Sequence, residues 1–213
     1  MHFTKMHGLG NDYLYVYGEV PANIEDLSIK LSERHFGAGS DGMIYISPSE
    51  ISDFKMRIFN ADGSEAKMCG NGIRCVGKYV YDKGYTDKKH LRIETLSGIK
   101  TLDLNVSNGK VKTVSVGMGK AEVSENLQLD VDGEKIICTP VSVGNPHAVN
   151  FVKDIEKAPL LTLGPKMEHH RAFPGGVNVE FVEVLDRKTL RMRVWERGSG
   201  VTMACGTGAC AST

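Results

Sequence analysis

Two stretches of this chain match one another when one is shifted by 136 residues. Phe59 then falls on Trp195, and Met68-Cys69-Gly70-Asn71-Gly72 falls without a gap on Ala204-Cys205-Gly206-Thr207-Gly208. Upstream, Asn60 falls on Glu196 and Ala61 on Arg197. A second pair matches at a shift of 134, where Gly10-Asn11-Asp12-Tyr13 meets Gly144-Asn145-Pro146-His147, each followed by an apolar stretch. Two Gly-Asn turns and two Cys-Gly-x-Gly turns at almost one offset constrain the fold more than any other feature. They point to a duplicated lobe.

The hydrophobic patterning fits two lobes. Val16–Tyr17, Met43–Ile46, Lys55–Phe59, Leu91–Glu94, Lys100–Val106 and Val111–Val116 read as strands of lobe one. Val141–Val143, Ala148–Val152, Asn178–Leu185 and Leu190–Trp195 read as strands of lobe two. Ile24–Arg34 predicts a short amphipathic helix. Gly72–Lys83 predicts another, with Ile73, Val76, Tyr79 and Val80 on one face and Gly84 as its stop. The fold class is therefore α/β (α+β), with lobes 1–117 and 118–213 dividing near Gly117-Met118-Gly119. In lobe one the chain runs well beyond Cys75, whereas in lobe two it stops at Thr213, three residues after Cys210. A second lobe built like the first needs a comparable helix and strands. The expectation is a C-terminal lobe that is incomplete, since an unfinished sheet leaves an edge and apolar surface uncovered.

Charge and composition narrow the function classes. Lys+Arg and Asp+Glu are both 26, and this neutrality gives no basic excess to attract nucleic acid or an anionic membrane surface. No stretch approaches the roughly 20 apolar residues of a membrane span, and the segment from Met1 to Tyr13 lacks the apolar core of a signal peptide. The cysteines at 69, 75, 138, 205 and 210 are odd in number, which suits a reducing compartment, so the cytoplasm is expected. Their spacings are not those of a structural zinc site, and no metal is expected. No Gly-x-Gly-x-x-Gly follows a strand, and nothing indicates pyridoxal phosphate, so no cofactor is expected either.

The chemistry lies in the two cysteine turns. Each cysteine directly precedes a glycine-containing turn that opens a helix, where backbone N–H groups lack intrahelical partners and carry partial positive charge. Such a setting can lower a thiol pKa and can hold a carboxylate. A thiol on each side of a substrate α-carbon could remove a proton from one face and deliver one to the other, inverting the centre. An isolated cysteine is more often a small buried hydrophobe. That reading is kept for Cys75, Cys138 and Cys210, while the duplicated turn reverses it for Cys69 and Cys205. His147 reads equally as a turn histidine or a site residue. Glu196 and Arg197 alone would be a surface pair, but their alignment with Asn60-Ala61 favours a site position. Asn11, Asn60 and Asn178 read as turn or strand-end residues as readily as ligand contacts.

Taken together, Lys5–Tyr13, Phe59–Glu65, Cys69–Cys75, Gly144–His147, Val177-Asn178, Trp195–Gly198 and Ala204–Cys210 resemble the diaminopimelate epimerase family across essentially the whole chain. The resemblance implies two pseudo-symmetric lobes, each a β-barrel-like sheet around a central helix, with the site in the cleft between them. It implies cofactor-independent interconversion of LL- and meso-diaminopimelate, towards lysine and peptidoglycan precursors. By motif, Cys69 and Cys205 are the base/acid pair, and Gly70 and Asn71 with Gly206 and Thr207 bind the reacting carboxylate. Glu196 and His147 orient the reacting groups. Asn11, Asn60, Asn145, Asn178 and Arg197 bind the substrate's polar groups. The small-molecule substrate is then the main partner, and a homodimer is compatible with the family. Three alternatives stay open at this stage: a related two-cysteine racemase acting on proline or hydroxyproline, a non-catalytic binding protein that kept the fold, and a thiol redox protein.

Overall fold

A computed structural model describes residues 1–213, which divide into two compact units, Met1–Gly117 and Met118–Thr213. The first unit runs β1 (Thr4–Gly8), β2 (Asn11–Tyr17), α1 (Ile24–Ser32), β3 (Gly42–Ser47), β4 (Phe54–Asn60), β5 (Glu65–Ala66), α2 (Gly70–Asp82), β6 (His90–Thr95), β7 (Gly98–Ser107) and β8 (Lys110–Gly117). Its sheet has the order β1-β2-β3-β4-β6-β7-β8, with β5 on β4. The β2–β3 and β4–β6 pairs are parallel and the rest antiparallel. Helix α2 touches both β1 and β8, the two ends of that path, so the sheet curls around it.

The apolar runs in β2 and β3 are continuous because both faces of these strands are covered. Tyr13, Tyr15, Ile44 and Ile46 face α2 and join Ile73, Val76 and Val80 in the main cluster. Leu14, Val16, Met43 and Tyr45 face the other way and pack with Ile24, Leu27 and Leu31 of α1. Successive residues on a strand point to opposite faces, so one strand serves two helices.

The second unit contains β9 (Glu122–Val123), β10 (Leu127–Val131), β11 (Glu134–Ser142), β12 (Pro146–Val152), a short 3₁₀ turn at Ile155–Lys157, α3 (Leu160–Glu168), β13 (Asn178–Asp186), β14 (Thr189–Glu196), β15 (Gly200–Val201) and α4 (Gly206–Ala211). The sheet order is β10-β11-β12-β13-β14-β15, with β9 on β11. Its connectivity repeats that of the first unit. An antiparallel pair (β11–β12) leads to a parallel pair (β12–β13), then two antiparallel pairs ending at β15, then a helix. The first unit does the same from β1 through β5 to α2. In both, a helix connects the two parallel strands: α1 in one unit, α3 in the other.

Several local expectations need correction: the strand expected at Val16–Tyr17 begins at Asn11, and the one expected at Val141–Val143 is the end of β11, which runs Glu134–Ser142. Helix α1 ends at Ser32, two residues before Arg34, and α2 starts at Gly70 because Cys69 is its N-cap. Helix α3 is absent from the sequence reading. It is only nine residues long, contains Pro165 and has no side-chain N-cap bond, so propensity and capping signals are both missing. Packing holds it: Leu160, Leu163 and Met167 join Val177, Val179 and Phe181 in a buried cluster. Gly164 permits the close approach, because a Cβ there would stand 2.8 Å from Trp195 Cβ. The helix that follows the second cysteine turn, α4, has six residues and packs on β12, with Ala211 against a cluster of Val141, Val143, Val149 and Val182.

Gly164→Ala should therefore destabilise the protein by about 1–3 kcal/mol, the usual cost of overpacking. Urea unfolding should show a lower midpoint with an unchanged slope; an unchanged midpoint would refute the tight α3–β14 contact.

Candidate active site

In the first unit the cysteine turn is built at the N-terminus of α2. Cys69 has an extended backbone (φ −140°, ψ 110°), and its Sγ accepts the Gly72 N–H at 3.2 Å, a side-chain N-cap. The thiol in turn donates to Asn11 Oδ1 at 3.2 Å. Asn11, the first residue of β2, donates from Nδ2 to Asp41 Oδ2 at 2.7 Å, which fixes its amide orientation. Asp41 also accepts the Asp12 N–H and pairs with Arg34. Gly70 and Asn71 form the first turn of α2, and the Asn71 side chain accepts from Arg74 at 2.8 Å. Asn60 ends β4 with its amide on Ser64 Oγ, 3.1 Å away. Its tie to the Asn11 cluster is indirect, through the Ala61 N–H donated to the Asp41 carbonyl.

The second unit repeats this geometry. Cys205 is the extended N-cap of α4 (φ −117°, ψ 114°), and its Sγ accepts the Gly208 N–H at 3.3 Å. Thr207, in the first turn, lies 3.4 Å from the same sulfur and accepts from Asn145 Nδ2 at 3.2 Å. Asn145 Oδ1 lies 3.1 Å from His147 Nε2, and His147 Nδ1 lies 2.6 Å from Glu180 Oε1. Asn178 opens β13; it donates to the Pro146 carbonyl and accepts the Arg197 N–H, each at 3.0 Å. Glu196 ends β14 and accepts from the Thr202 hydroxyl. Arg197 is exposed, with one guanidinium nitrogen on the Gly175 carbonyl. The structure thus brings Cys205, Gly206, Thr207, Asn145 and His147 together, and joins Asn178 to Arg197.

The electrostatics of Cys205 differ from the sequence expectation. A helix start favours a thiolate, yet burial pushes this thiol up to about 12, with the charge of Glu196 adding to the rise. The Thr207 hydroxyl and the Gly208 N–H oppose the shift without cancelling it. Cys138 is likewise pushed up, by burial, to about 11. Cys75 and Cys138 are core residues, as expected, but Cys210 is exposed on α4.

Comparison with known proteins decides the family. The diaminopimelate epimerase family model matches residues 3–124 and 139–213. The chain belongs to the diaminopimelate epimerase family. It is 56% identical to the diaminopimelate epimerase of Acetivibrio thermocellus, over 99% of this chain and 81% of that one. It is 55% identical to that of Methanococcus maripaludis, over 99% and 82%. Its reaction class is that of an isomerase. Among solved structures the fold is shared with a probable proline racemase from Agrobacterium radiobacter (TM-score 0.76, 19% identity, 98% of this chain and 74% of that). A hydroxyproline epimerase from Agrobacterium vitis also shares it (TM-score 0.71, 18% identity, 98% and 74%).

Several residues around the two turns escaped the sequence reading. Asp41 orients Asn11 from a loop with no distinguishing pattern. Tyr13 is buried with its hydroxyl in reach of Asn11 and Cys69, and burial drives its phenol well above the ordinary range. Glu168, at the end of α3, is 5% exposed and accepts from the Trp195 indole at 2.7 Å and the Gly198 N–H at 2.8 Å. Glu180 did leave a signal: it is the one charged residue in the otherwise apolar run Val179–Val182. No helix is long and apolar enough to cross a membrane.

Cys205 holds its thiol proton more tightly in the folded chain than in the unfolded one. The folded chain retains a proton that an unfolded thiol, with an ordinary value of 9.0, has already lost. Stability linked to this group is therefore complete below pH 9 and declines as pH rises towards 12. Site-resolved alkylation of the ligand-free protein should show the Cys205 rate still climbing above pH 10. A plateau near pH 9 would mean that burial and Glu196 do not control this thiol.

Proposed function

We propose that this chain interconverts LL- and meso-diaminopimelate without a cofactor. In this reading Cys69 and Cys205 act on opposite faces of the α-carbon, one as thiolate base and the other as thiol acid. The reaction serves lysine and peptidoglycan precursor synthesis, and the cytoplasm, a reducing compartment, is its proposed place. The observation that carries the reading is the pair of matching N-caps. Each cysteine is the extended residue before a helix, accepts one N–H from a glycine three residues on, and has a polar side chain in contact with its sulfur. A two-sided inversion requires an acid/base group on each face, and the direction of reaction decides which is base and which is acid.

The remaining roles follow from what each group has left to offer. The turns Gly70-Asn71 and Gly206-Thr207 bind the reacting carboxylate through helix-start N–H groups. Asn71 contributes backbone, since its side-chain oxygen already accepts from Arg74. Glu196 pairs with the reacting ammonium. A substrate cation there would offset the charge that raises Cys205 and would make its thiolate more accessible on binding. His147, 1% exposed, acts through Asn145. Asn178 holds the Arg197 backbone, and Arg197 binds a carboxylate, a task for which a planar fork suits two parallel hydrogen bonds. Asn11, Asn60 and Asn145 bind the polar groups of the substrate.

The test is α-deuterium uptake in D₂O from LL- and meso-diaminopimelate, with proline in parallel. Uptake with diaminopimelate alone is expected. Cys69→Ala and Cys205→Ala should each lower it by about 10³-fold, within the range for loss of a general acid or base. Uptake from proline, or either alanine variant turning over at the original rate, would overturn the reading. Arg197→Lys should raise KM about tenfold with kcat nearly unchanged, because a point charge replaces a bidentate fork; an unchanged KM would remove Arg197 from the substrate site.

A further inference from the structure

The two cysteine turns match in backbone but rest on different supports. The register pairs Tyr15 with Ile44 across β2–β3, and Val149 with Glu180 across β12–β13. With Tyr13 matched to His147, Ile44 and Glu180 occupy the same place in the repeat. The underside of each turn confirms the correspondence: a Cβ on Gly72 would lie 2.6 Å from Ile44 Cδ1, and a Cβ on Gly208 would lie 2.6 Å from Glu180 Oε1. In the first unit an isoleucine and a tyrosine fill this space. In the second a carboxylate and an imidazole do, both with fully buried side chains and with no lysine or arginine paired to them. Packing alone asks only for the isoleucine. An ionisable group in its place is disfavoured by desolvation unless hydrogen bonding or chemistry compensates it.

The Glu180 carboxylate bonds through Oε1 alone, since Oε2 is buried without a partner. From Oε1 the contacts run unbroken to the sulfur: His147 Nδ1 at 2.6 Å, His147 Nε2 to Asn145 Oδ1 at 3.1 Å, Asn145 Nδ2 to Thr207 Oγ1 at 3.2 Å, and Thr207 Oγ1 to Cys205 Sγ at 3.4 Å. Each link has a polarity. With Asn145 Oδ1 towards the imidazole, Nε2 must donate, and the Glu180–His147 pair then holds a proton at their shared bond. At the far end the Thr207 hydroxyl, having accepted from Asn145, is free to donate to a Cys205 thiolate. With the amide turned over, every bond reverses. Nε2 accepts, Nδ1–H donates to an ionised Glu180, the Thr207 hydroxyl donates to Asn145, and the Cys205 S–H donates to Thr207. Each arrangement has one net negative charge and the same number of protons. It sits on sulfur in the first and on Glu180 in the second.

We propose that Glu180 is a positioning residue for Cys205. Through His147, Asn145 and Thr207 it sets the direction of the hydrogen-bond chain, and so couples ionisation of this one thiol to the protonation of a buried carboxylate–imidazole pair. The inference rests on the two-thiol reading of the site and assigns the second thiol a control that the first lacks. The ionisable groups facing the chain are His147 on β12, Glu180 on β13, Glu196 at the end of β14 and Cys205 itself. Glu196 is unchanged in the test, so a shift on altering Glu180 is separable from its influence.

The experiment compares the wild-type chain with Glu180→Gln. Gln keeps the shape and removes the competing charge, and by donating to His147 Nδ1 it can make Nε2 the donor. Site-resolved alkylation at fixed pH should show Cys205 reacting about tenfold faster, a shift of about one pH unit, with the Cys69 rate unchanged. In turnover, kcat should fall and its pH profile should move to lower pH, a change that a purely structural role would not produce. Glu180→Ile, which places the first unit's isoleucine beside His147, removes the same charge and should show the same faster alkylation, so a folding failure of the Gln variant does not remove the test. An unchanged Cys205 alkylation profile in a folded variant, or a loss of thermal stability alone, would overturn the proposal. A wild-type chain without diaminopimelate turnover would sink the proposed activity instead, and the alkylation profiles would still decide the role of Glu180.

Discussion

A thiol serving as the N-cap of a helix is the constraint on which the rest of this structure depends. A helix start leaves N–H groups without partners, and a short acceptor side chain on an extended residue takes one of them. Cysteine is an unusual choice for this place, because Ser, Thr, Asp and Asn accept better. Its use at both Cys69 and Cys205 has consequences for everything beneath. The third helical residue must bring its N–H to the sulfur while its Cα rests on the sheet, and at both positions that residue is a glycine with a side-chain atom already standing where a Cβ would go. The strand below, the order of strands and the crossover helix on the far face all serve to bring the helix start down onto the sheet.

That shared build makes the differences between the units informative. Cys69 donates to Asn11, whose amide is held by Asp41, so its environment is fixed by one orientation. Cys205 ends a chain of four groups that can run in either direction, and a carboxylate nearby makes its thiolate less favourable. A duplicated scaffold explains why two thiols exist. Their surroundings are unequal, and the difference is concentrated in the positions of Tyr13/His147 and Ile44/Glu180.

The sequence reveals the first unit better than the second for a physical reason. Strands β2, β3 and β4 and helix α2 are dense in apolar residues at the right period, and Gly84 stops the helix at a positive φ of 79°. Helix α3 carries a proline, a glycine and no N-cap, and is stabilised by contacts with β13 and β14 that periodicity cannot express. The cysteine turns were legible because they repeat. Asp41, Tyr13 and Glu168 were not, because each acts on its neighbours through contacts from a distant part of the chain. Glu180 lay between. A single charge in an apolar strand was visible, yet its link to His147 comes from the parallel pairing of two strands about thirty residues apart.

The least readable element also supports one of the more readable ones. Glu168 closes α3, and its two oxygens hold the Trp195 indole and the Gly198 backbone, which lie on either side of Glu196 and Arg197. Gly164 on the same helix lets that indole-bearing strand approach. From the other side, Asn178 takes the Arg197 N–H and binds the carbonyl before His147. The Glu196-Arg197 turn is therefore gripped at three backbone or ring atoms by groups on two other elements, while the Thr202 hydroxyl and the Gly175 carbonyl hold its two charged side chains. A turn held in that way can keep a carboxylate close to a buried thiol without collapsing away from it. Preorganised charge of this kind does not need to be assembled when a substrate arrives. Helix α3, which sequence propensity would not form alone, thus supports the charged turn as well as filling the core of its unit.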